Sequence, residues 1–291
     1  MKLVTYTING KTSVGKVVDD LVVDLAGAYE GAPQSMLAIM QGGAAVLARL
    51  DKVEPAPANT YPIADVKLEA PISNPQKFLA IGLNYQDHVD ELVARGGKGP
   101  EHQMWFNKQV SCINGPYDPI YLPKVSEKLD YEVELAVVIG KRCRYISEAD
   151  AMTAVGGYMV VNDVTARDWQ RQTTQWTLGK SFDSHGPIGP WLLTPDEVPH
   201  PQNLDMRLFV NGELRQHTNT ALMVYNIAKQ ISHLSQVMTL EPGDILATGT
   251  TSGAGWGMEP PQFLKPGDVV RVEIDGVGHI ENTVEVEPEF V

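Results

Sequence analysis

Two glutamates two residues apart, Glu132 and Glu134, lead into an apolar, β-branched run, Asp130-Tyr131-Glu132-Val133-Glu134-Leu135-Ala136-Val137-Val138-Ile139-Gly140. Side chains on a β-strand alternate faces, so both acids point one way while Tyr131, Val133 and Leu135 point the other. Neighbouring carboxylates on a core-bound strand repel each other, and a divalent cation removes that conflict. A third carboxylate, Asp163, closes another apolar run, Gly157-Tyr158-Met159-Val160-Val161-Asn162-Asp163. An all-oxygen donor set favours a hard cation such as Mg²⁺ or Mn²⁺ over zinc. The solvated face of an antiparallel sheet also carries alternating acids, so the spacing alone leaves both readings open.

Three other segments carry candidate chemistry. His88 and Glu91 lie three apart in Asn84-Tyr85-Gln86-Asp87-His88-Val89-Asp90-Glu91. On a helix they share a face, where a carboxylate-oriented imidazole can take a proton from water; a plain surface pair has the same spacing. Lys180, in Thr177-Leu178-Gly179-Lys180-Ser181-Phe182-Asp183, offers a cation to an enolate or oxyanion, or is a loop lysine. Ala247-Thr248-Gly249-Thr250-Thr251-Ser252-Gly253-Ala254-Gly255 supplies backbone N–H groups and hydroxyls for an anion such as a carboxylate, or is a surface loop. It lacks the Gly-Lys-Ser/Thr ending of a P-loop, and Ser252 has no Gly-x-Ser-x-Gly frame. The remaining histidines are scattered without metal-ligand spacing. Of these, His185 lies closest in sequence to Lys180.

The elements that must position these groups are mostly short strands. Residues 1–69 read as a small N-terminal α/β domain and linker. It holds an Asn9-Gly10 hairpin, a second hairpin over 17–24, a helical stretch from Ser35 to Leu50 interrupted at Gly42-Gly43, and a proline-rich 55–59 segment. Residues 70–291 read as the larger, β-rich domain. A strand is expected at 78–82, a helix at 86–94, a helix from the Ser147 capping box to about Val155, an Asn211-Gly212 hairpin, and a long helix over 221–238. Pro-Gly-Asp turns at 242–244 and 266–268 each introduce a strand. The class is α+β.

The composition excludes some partners. A net charge of −13 over 291 residues argues against nucleic acid, whose recognition needs clustered Lys and Arg. Two cysteines, Cys112 and Cys143, make no disulfide framework, and no stretch has the length and apolarity of a membrane span or signal peptide, so a cytoplasmic protein without a membrane partner is expected.

Taken in order, these segments resemble the fumarylacetoacetate hydrolase family over about residues 70 to 285. The matching stretches are Ile81-Gly82-Leu83-Asn84-Tyr85 with His88, the 130–140 acid strand, Asn162-Asp163-Val164-Thr165-Ala166-Arg167-Asp168, Gly179-Lys180-Ser181-Phe182-Asp183, Gly186-Pro187-Ile188-Gly189-Pro190, Val210-Asn211-Gly212-Glu213, and Leu240-Glu241-Pro242-Gly243-Asp244 with Thr248-Gly249-Thr250. The resemblance implies a mixed β-sandwich roll, a homodimer, and Mg²⁺ or Mn²⁺ on Glu132, Glu134 and Asp163. It further implies a water-activating pair at His88 and Glu91, an oxyanion-stabilising Lys180, a functional glutamine at Gln170, and substrate contacts at Tyr85, Gly249 and Thr250.

The implied reaction is metal-dependent hydrolysis of a C–C bond in a 2,4-dioxo acid, either an acylpyruvate or a 2,4-dioxo-3-deoxy sugar acid, giving pyruvate or a related 2-oxo acid. Oxaloacetate decarboxylation, tautomerisation, and isomerisation or hydration of oxo-dienoates use the same kind of enolate site and are the alternatives. A binding protein that keeps only the fold would lack a ligand or the base, and this chain lacks none of them. One departure stands out. Relatives that read Gly-Thr-Pro-x-Gly-Val-Gly have a proline where this chain has Thr251 and a valine where it has Ala254, so a looser loop is expected here. Loops 96–106 and 254–263 are the expected seat of selectivity, with Tyr85, Trp105, Trp176 and Trp256 as candidate pocket walls.

Overall fold

The computed structural model describes residues 1–289. Its centre is a mixed twelve-stranded sheet. The strands Gly186–Leu193, Val155–Asn162, Val133–Ile139 and Ile245–Ala247 run antiparallel in that order. Ile245–Ala247 then pairs in parallel with Phe78–Gly82, which pairs antiparallel with Met104–Lys108. On the other side, Lys2–Ile8 joins Gly186–Leu193 through Lys2 opposite Leu193 and Leu3 opposite Leu192. The hairpins of residues 2–24 carry the sheet outward from there.

A second, five-stranded sheet has the order Glu213–Asn219, Asp205–Val210, Val269–Ile274, Gly278–Val286, Ile120–Leu122. The two sheets enclose one core, in which Val133, Leu135, Val137 and Val160 meet Met206, Leu208, Val270, Val272 and Ile280. The opposite face of the central sheet, with Ala136, Val138, Met159 and Val161, packs with Met36, Ile39, Met40 and Leu50 of the Met36–Asp51 helix. Burial on both faces explains why Val133–Ile139 is a continuous apolar run. Tyr131, Val133 and Leu135 share the inter-sheet face, as the alternation requires.

The Asn-Gly turns fall where expected, with Asn9, Gly10, Asn211 and Gly212 all at positive φ. Helix Gln86–Ala94 matches its predicted span. Ser35 caps the Met36–Asp51 helix, and Gly43 breaks its regularity at φ 60°. Two helices are shorter than predicted. At the Ser147 capping box, Ser147 Oγ accepts from the Asp150 N–H at 3.1 Å, but only a 3₁₀ turn at Ala151–Ala154 follows. Val155 already belongs to the central sheet, whose pairing outweighs local helix preference. The long helix occupies only Ile227–Val237, because Asn226 caps it by accepting from the Lys229 N–H. Among the described residues no helix is long and apolar enough to cross a membrane.

Candidate active site

The site forms where the paired central strands end. Val133 stands opposite Asn162, so Glu132 and Asp163 flank that pair just beyond it. The Glu132 N–H donates to Asn162 Oδ1 at 3.0 Å, and the Asp163 N–H to the Glu132 carbonyl at 3.0 Å. Backbone pairing therefore brings Glu132, Glu134 and Asp163 together, each offering an oxygen within 4.8 Å of the others, and all three are buried.

Buried carboxylates need counter-charge, and three cations supply it. Lys180 Nζ lies 2.6 Å from both Glu132 and Asp163. Arg167 reaches Glu132 Oε1 and Asp130 Oδ2, each at 2.7 Å. Lys108 Nζ donates to Asp163 Oδ1 at 2.7 Å, to the His185 carbonyl at 2.9 Å and to the Lys180 carbonyl. Glu134 is left with the Gly249 N–H, which donates to it at 2.7 Å, and no ion pair among the described residues.

The titration behaviour follows from this division. Burial, then the charges of Asp163 and Glu132, push the Glu134 carboxyl well above its usual range. Glu132 is also buried, but Lys180 and Arg167 outweigh that and hold it low. For Lys108, burial acts against the ammonium, and Asp163, with smaller help from Cys112 and Glu132, more than compensates. Four carboxylates, counting Asp130, thus face three cations in a buried site. The three oxygen ligands and the uncompensated Glu134 fit a hard divalent cation.

Beside the triad is a cavity of about 180 Å³. Its walls include Glu132, Glu134, Lys180 and Arg167, and on other sides His88, Gln170, Thr250, Phe106, Trp176 and Trp256. His88 projects from the first turn of helix Gln86–Ala94, and its Nδ1 is 3.1 Å from Glu91 Oε2, which leaves Nε2 as the free ring nitrogen. The hydrogen bond to His88 is the main cause that keeps Glu91 below the usual carboxylate range, so Glu91 is an ionised orienting partner. Asn84 fixes the entry to this helix by donating to the Thr248 and Tyr225 carbonyls and accepting from the Tyr225 N–H.

Two glycines allow the close approaches. Gly249 has φ +97°, and a Cβ there would lie 2.7 Å from the Asn84 Cβ. A Cβ on Gly179 would lie 2.3 Å from the Gln170 backbone nitrogen, so only glycine lets the Lys180 turn seat on the Arg167–Gln170 turn.

The family model for the fumarylacetoacetate (FAA) hydrolase C-terminal region matches residues 77–285, most of the chain. The chain belongs to the fumarylacetoacetate hydrolase family. It is 44% identical over 265 residues to a mitochondrial oxaloacetate tautomerase of Bos taurus, covering 90% of this chain and 83% of that protein. A fumarylacetoacetate hydrolase from Exiguobacterium antarcticum is 36% identical with a TM-score of 0.85, covering 99% of this chain and 100% of that one. The maleylpyruvate hydrolase of Sphingobium sp. SYK-6, solved with manganese(II) and pyruvate, is 33% identical with a TM-score of 0.78 and the same coverage.

Most residues singled out on the family resemblance converge on one cavity: His88, Glu132, Glu134, Gln170, Lys180 and Thr250 line it, while Glu91 and Gly249 bond to its walls. Asp163 completes the triad without lining the cavity. Tyr85 is placed elsewhere: its ring is in the inter-sheet core, and its hydroxyl lies 3.8 Å from the Met206 sulfur. Trp105 likewise packs on that core, whereas Trp176 and Trp256 line the cavity.

Thr251 does not leave its loop loose. It is fully buried, and its hydroxyl donates to Asp87, which also accepts from the His88 N–H at 2.8 Å. A side-chain bond thus ties the glycine-rich loop to the His88 helix.

Sequence reasoning missed Lys108 and gave no role to Arg167 or Asp130. Asp130 accepts from Arg167, from the Gly255 N–H at 2.8 Å and from the Trp256 N–H at 3.1 Å, so it sets Trp256 beside Arg167. Asp130 sits in the acid run and Arg167 four residues after Asp163, so proximity was a usable signal for both. Nothing marks Lys108, the last residue of an edge strand, as buried.

Proposed function

We propose that the protein hydrolyses a C–C bond in a 2,4-dioxo acid, releasing pyruvate or a related 2-oxo acid and a carboxylic acid. The observation that carries this reading is His88, oriented by Glu91, on the wall of the cavity that Glu132, Glu134 and Lys180 also line. Glu132, Glu134 and Asp163 would hold Mg²⁺ or Mn²⁺, a Lewis acid toward the oxygens of a 2-oxo carboxylate. His88, oriented by Glu91, takes a proton from water as that water attacks the C4 carbonyl. The C3–C4 bond then breaks, its electron pair becomes the enolate of the departing 2-oxo acid, and C4 leaves as a carboxylic acid. Lys180 places positive charge beside the developing enolate, and a proton returned to C3 completes the balance. Gln170 and Thr250 orient the substrate from the cavity wall, with the Gly249 N–H holding Glu134 in place.

A second reading is favoured by the 44% identity to a bovine oxaloacetate tautomerase. There the same enolate site moves a proton between C3 and the 2-oxo oxygen of oxaloacetate, and no water is activated. The test is pyruvate release from acetylpyruvate, fumarylpyruvate, a 2,4-dioxo-3-deoxy sugar acid and oxaloacetate with Mg²⁺ or Mn²⁺, using wild type and His88→Ala. Cleavage of a dioxo acid that collapses in the variant supports hydrolysis. Keto–enol exchange of oxaloacetate with no dioxo-acid cleavage replaces it by the second reading.

A further inference from the structure

Positive charge gathers around one ring at the cavity wall. The guanidinium of Arg171 lies 4.6 Å from the centroid of Trp256, that of Arg95 5.3 Å and that of Arg167 5.7 Å. In a chain of net charge −13 such a group of arginines is unexpected unless each has work to do. Arg167 is neutralised by Asp130 and Glu132. Arg95 donates to the Gly257 carbonyl and so braces the loop that carries Trp256. Arg171 has neither an ion pair nor a side-chain hydrogen bond among the described residues, yet it lines the same cavity as Glu132, Glu134 and Lys180. Only the indole face holds it, a cation–π contact that fixes the guanidinium plane while leaving its N–H groups free.

A further observation points the same way. Although its tip reaches the rim, partial desolvation and then the charge of Arg167 work against the Arg171 guanidinium more than Asp130 favours it, so an anion arriving there relieves an existing repulsion. The Trp256 Nε1–H is buried with no acceptor among the described residues, so the indole is held by packing and by the Asp130 bond to its backbone N–H. A guanidinium with free N–H groups, stacked on an indole face at the cavity wall, matches a carboxylate, which accepts from its planar donors at both oxygens.

We infer that Arg171, stacked on Trp256, is a specificity-determining residue that binds a second carboxylate of the substrate, making the protein selective for oxo-diacids over 2-oxo acids with a neutral end. The inference rests on the proposed function only in taking the triad and Lys180 as the seat of the 2-oxo carboxylate. The exposed position of Arg171 at the rim suits a substrate that enters with its second carboxylate outward.

Binding of an uncleavable pair separates this inference from the hydrolytic reading. 2-Oxoadipate and 2-oxohexanoate have the same chain length and differ in the terminal carboxylate, and neither is a 2,4-dioxo acid. Calorimetric titration of the full-length protein with Mn²⁺ present should show wild type preferring 2-oxoadipate by about tenfold or more, the usual scale of one charged hydrogen-bonded pair. Arg171→Gln should abolish that preference without weakening 2-oxohexanoate, and Arg171→Lys should keep part of it. Equal affinity of wild type for the two acids, or a Gln variant that weakens both alike, would overturn the assignment. If no dioxo acid is cleaved but the preference is lost in Arg171→Gln, the hydrolytic reading fails and the subsite stands. If dioxo acids are cleaved and no preference exists, the subsite alone falls.

Discussion

Replacing Lys108 by methionine isolates the electrostatic logic of the site. The Lys108 side chain is fully buried and does not line the cavity. Its ammonium has three N–H donors, and all are used, on Asp163 and on the His185 and Lys180 carbonyls. Methionine has similar length and no charge. It leaves Asp163 with one cation instead of two and strands two buried carbonyl acceptors. Breaking a buried ion pair from one side costs about 3–5 kcal/mol. Unfolding entropy of about 2.1 cal/mol/K per residue gives roughly 0.6 kcal/mol/K for a chain of this length. The expected fall in Tm is therefore about 5–8 °C. Differential scanning calorimetry with a chelator present measures it. Adding Mn²⁺ should raise the Tm of Lys108→Met more than that of wild type, because Asp163 has lost one of its competing cations. A Tm within about 1 °C of wild type, or an identical response to Mn²⁺, would refute this account of how the triad is balanced.

Two other perturbations test neighbouring parts of the argument. Glu134 has a raised pKa in the fold, so its contribution to stability is fully present below the unfolded carboxylate value of 4.5 and is lost as pH rises through the folded value. The gap in Tm between Mn²⁺-loaded and chelator-treated protein should consequently widen as pH rises above 4.5, and Glu134→Gln should flatten that trend. A gap independent of pH in wild type would contradict it. Gly179→Ala forces a methyl against the Gln170 backbone. It should cost about 1–3 kcal/mol of stability and lower kcat by displacing Lys180, read by calorimetry and by steady-state kinetics together; unchanged values would show that the turn yields freely.

The chemistry of the site was more legible than its supports. Glu132 and Glu134 were readable because a period of two puts them on one face, and Asp163 because it closes a second apolar run, which the fold then pairs with theirs. His88 and Glu91 were readable because three residues on a helix are neighbours. The family pattern brought in Lys180, Gln170, Gly249 and Thr250, whose spacing alone said little. Lys108 was out of reach because its role depends on which strand ends beside Asp163. Tyr85 was misplaced because the segment before a helix can turn a side chain to either side, and the inter-sheet core claimed it. The shortened helices at 151–154 and 227–237 have the same origin, since sheet pairing and an asparagine cap overrode local periodicity.

In the proposed reaction His88 delivers water to a carbonyl in the cavity it shares with Glu132, Glu134 and Lys180. The direct measurement is mass spectrometry of the products after turnover of a 2,4-dioxo acid in ¹⁸O-labelled water with Mg²⁺ or Mn²⁺. The account expects one solvent oxygen in the carboxylic acid derived from C4, at a rate that drops by about two to four orders of magnitude in His88→Ala, the usual contribution of a positioned base. Cleavage that continues at the wild-type rate in His88→Ala, or turnover confined to oxaloacetate with no labelled acid, would contradict it.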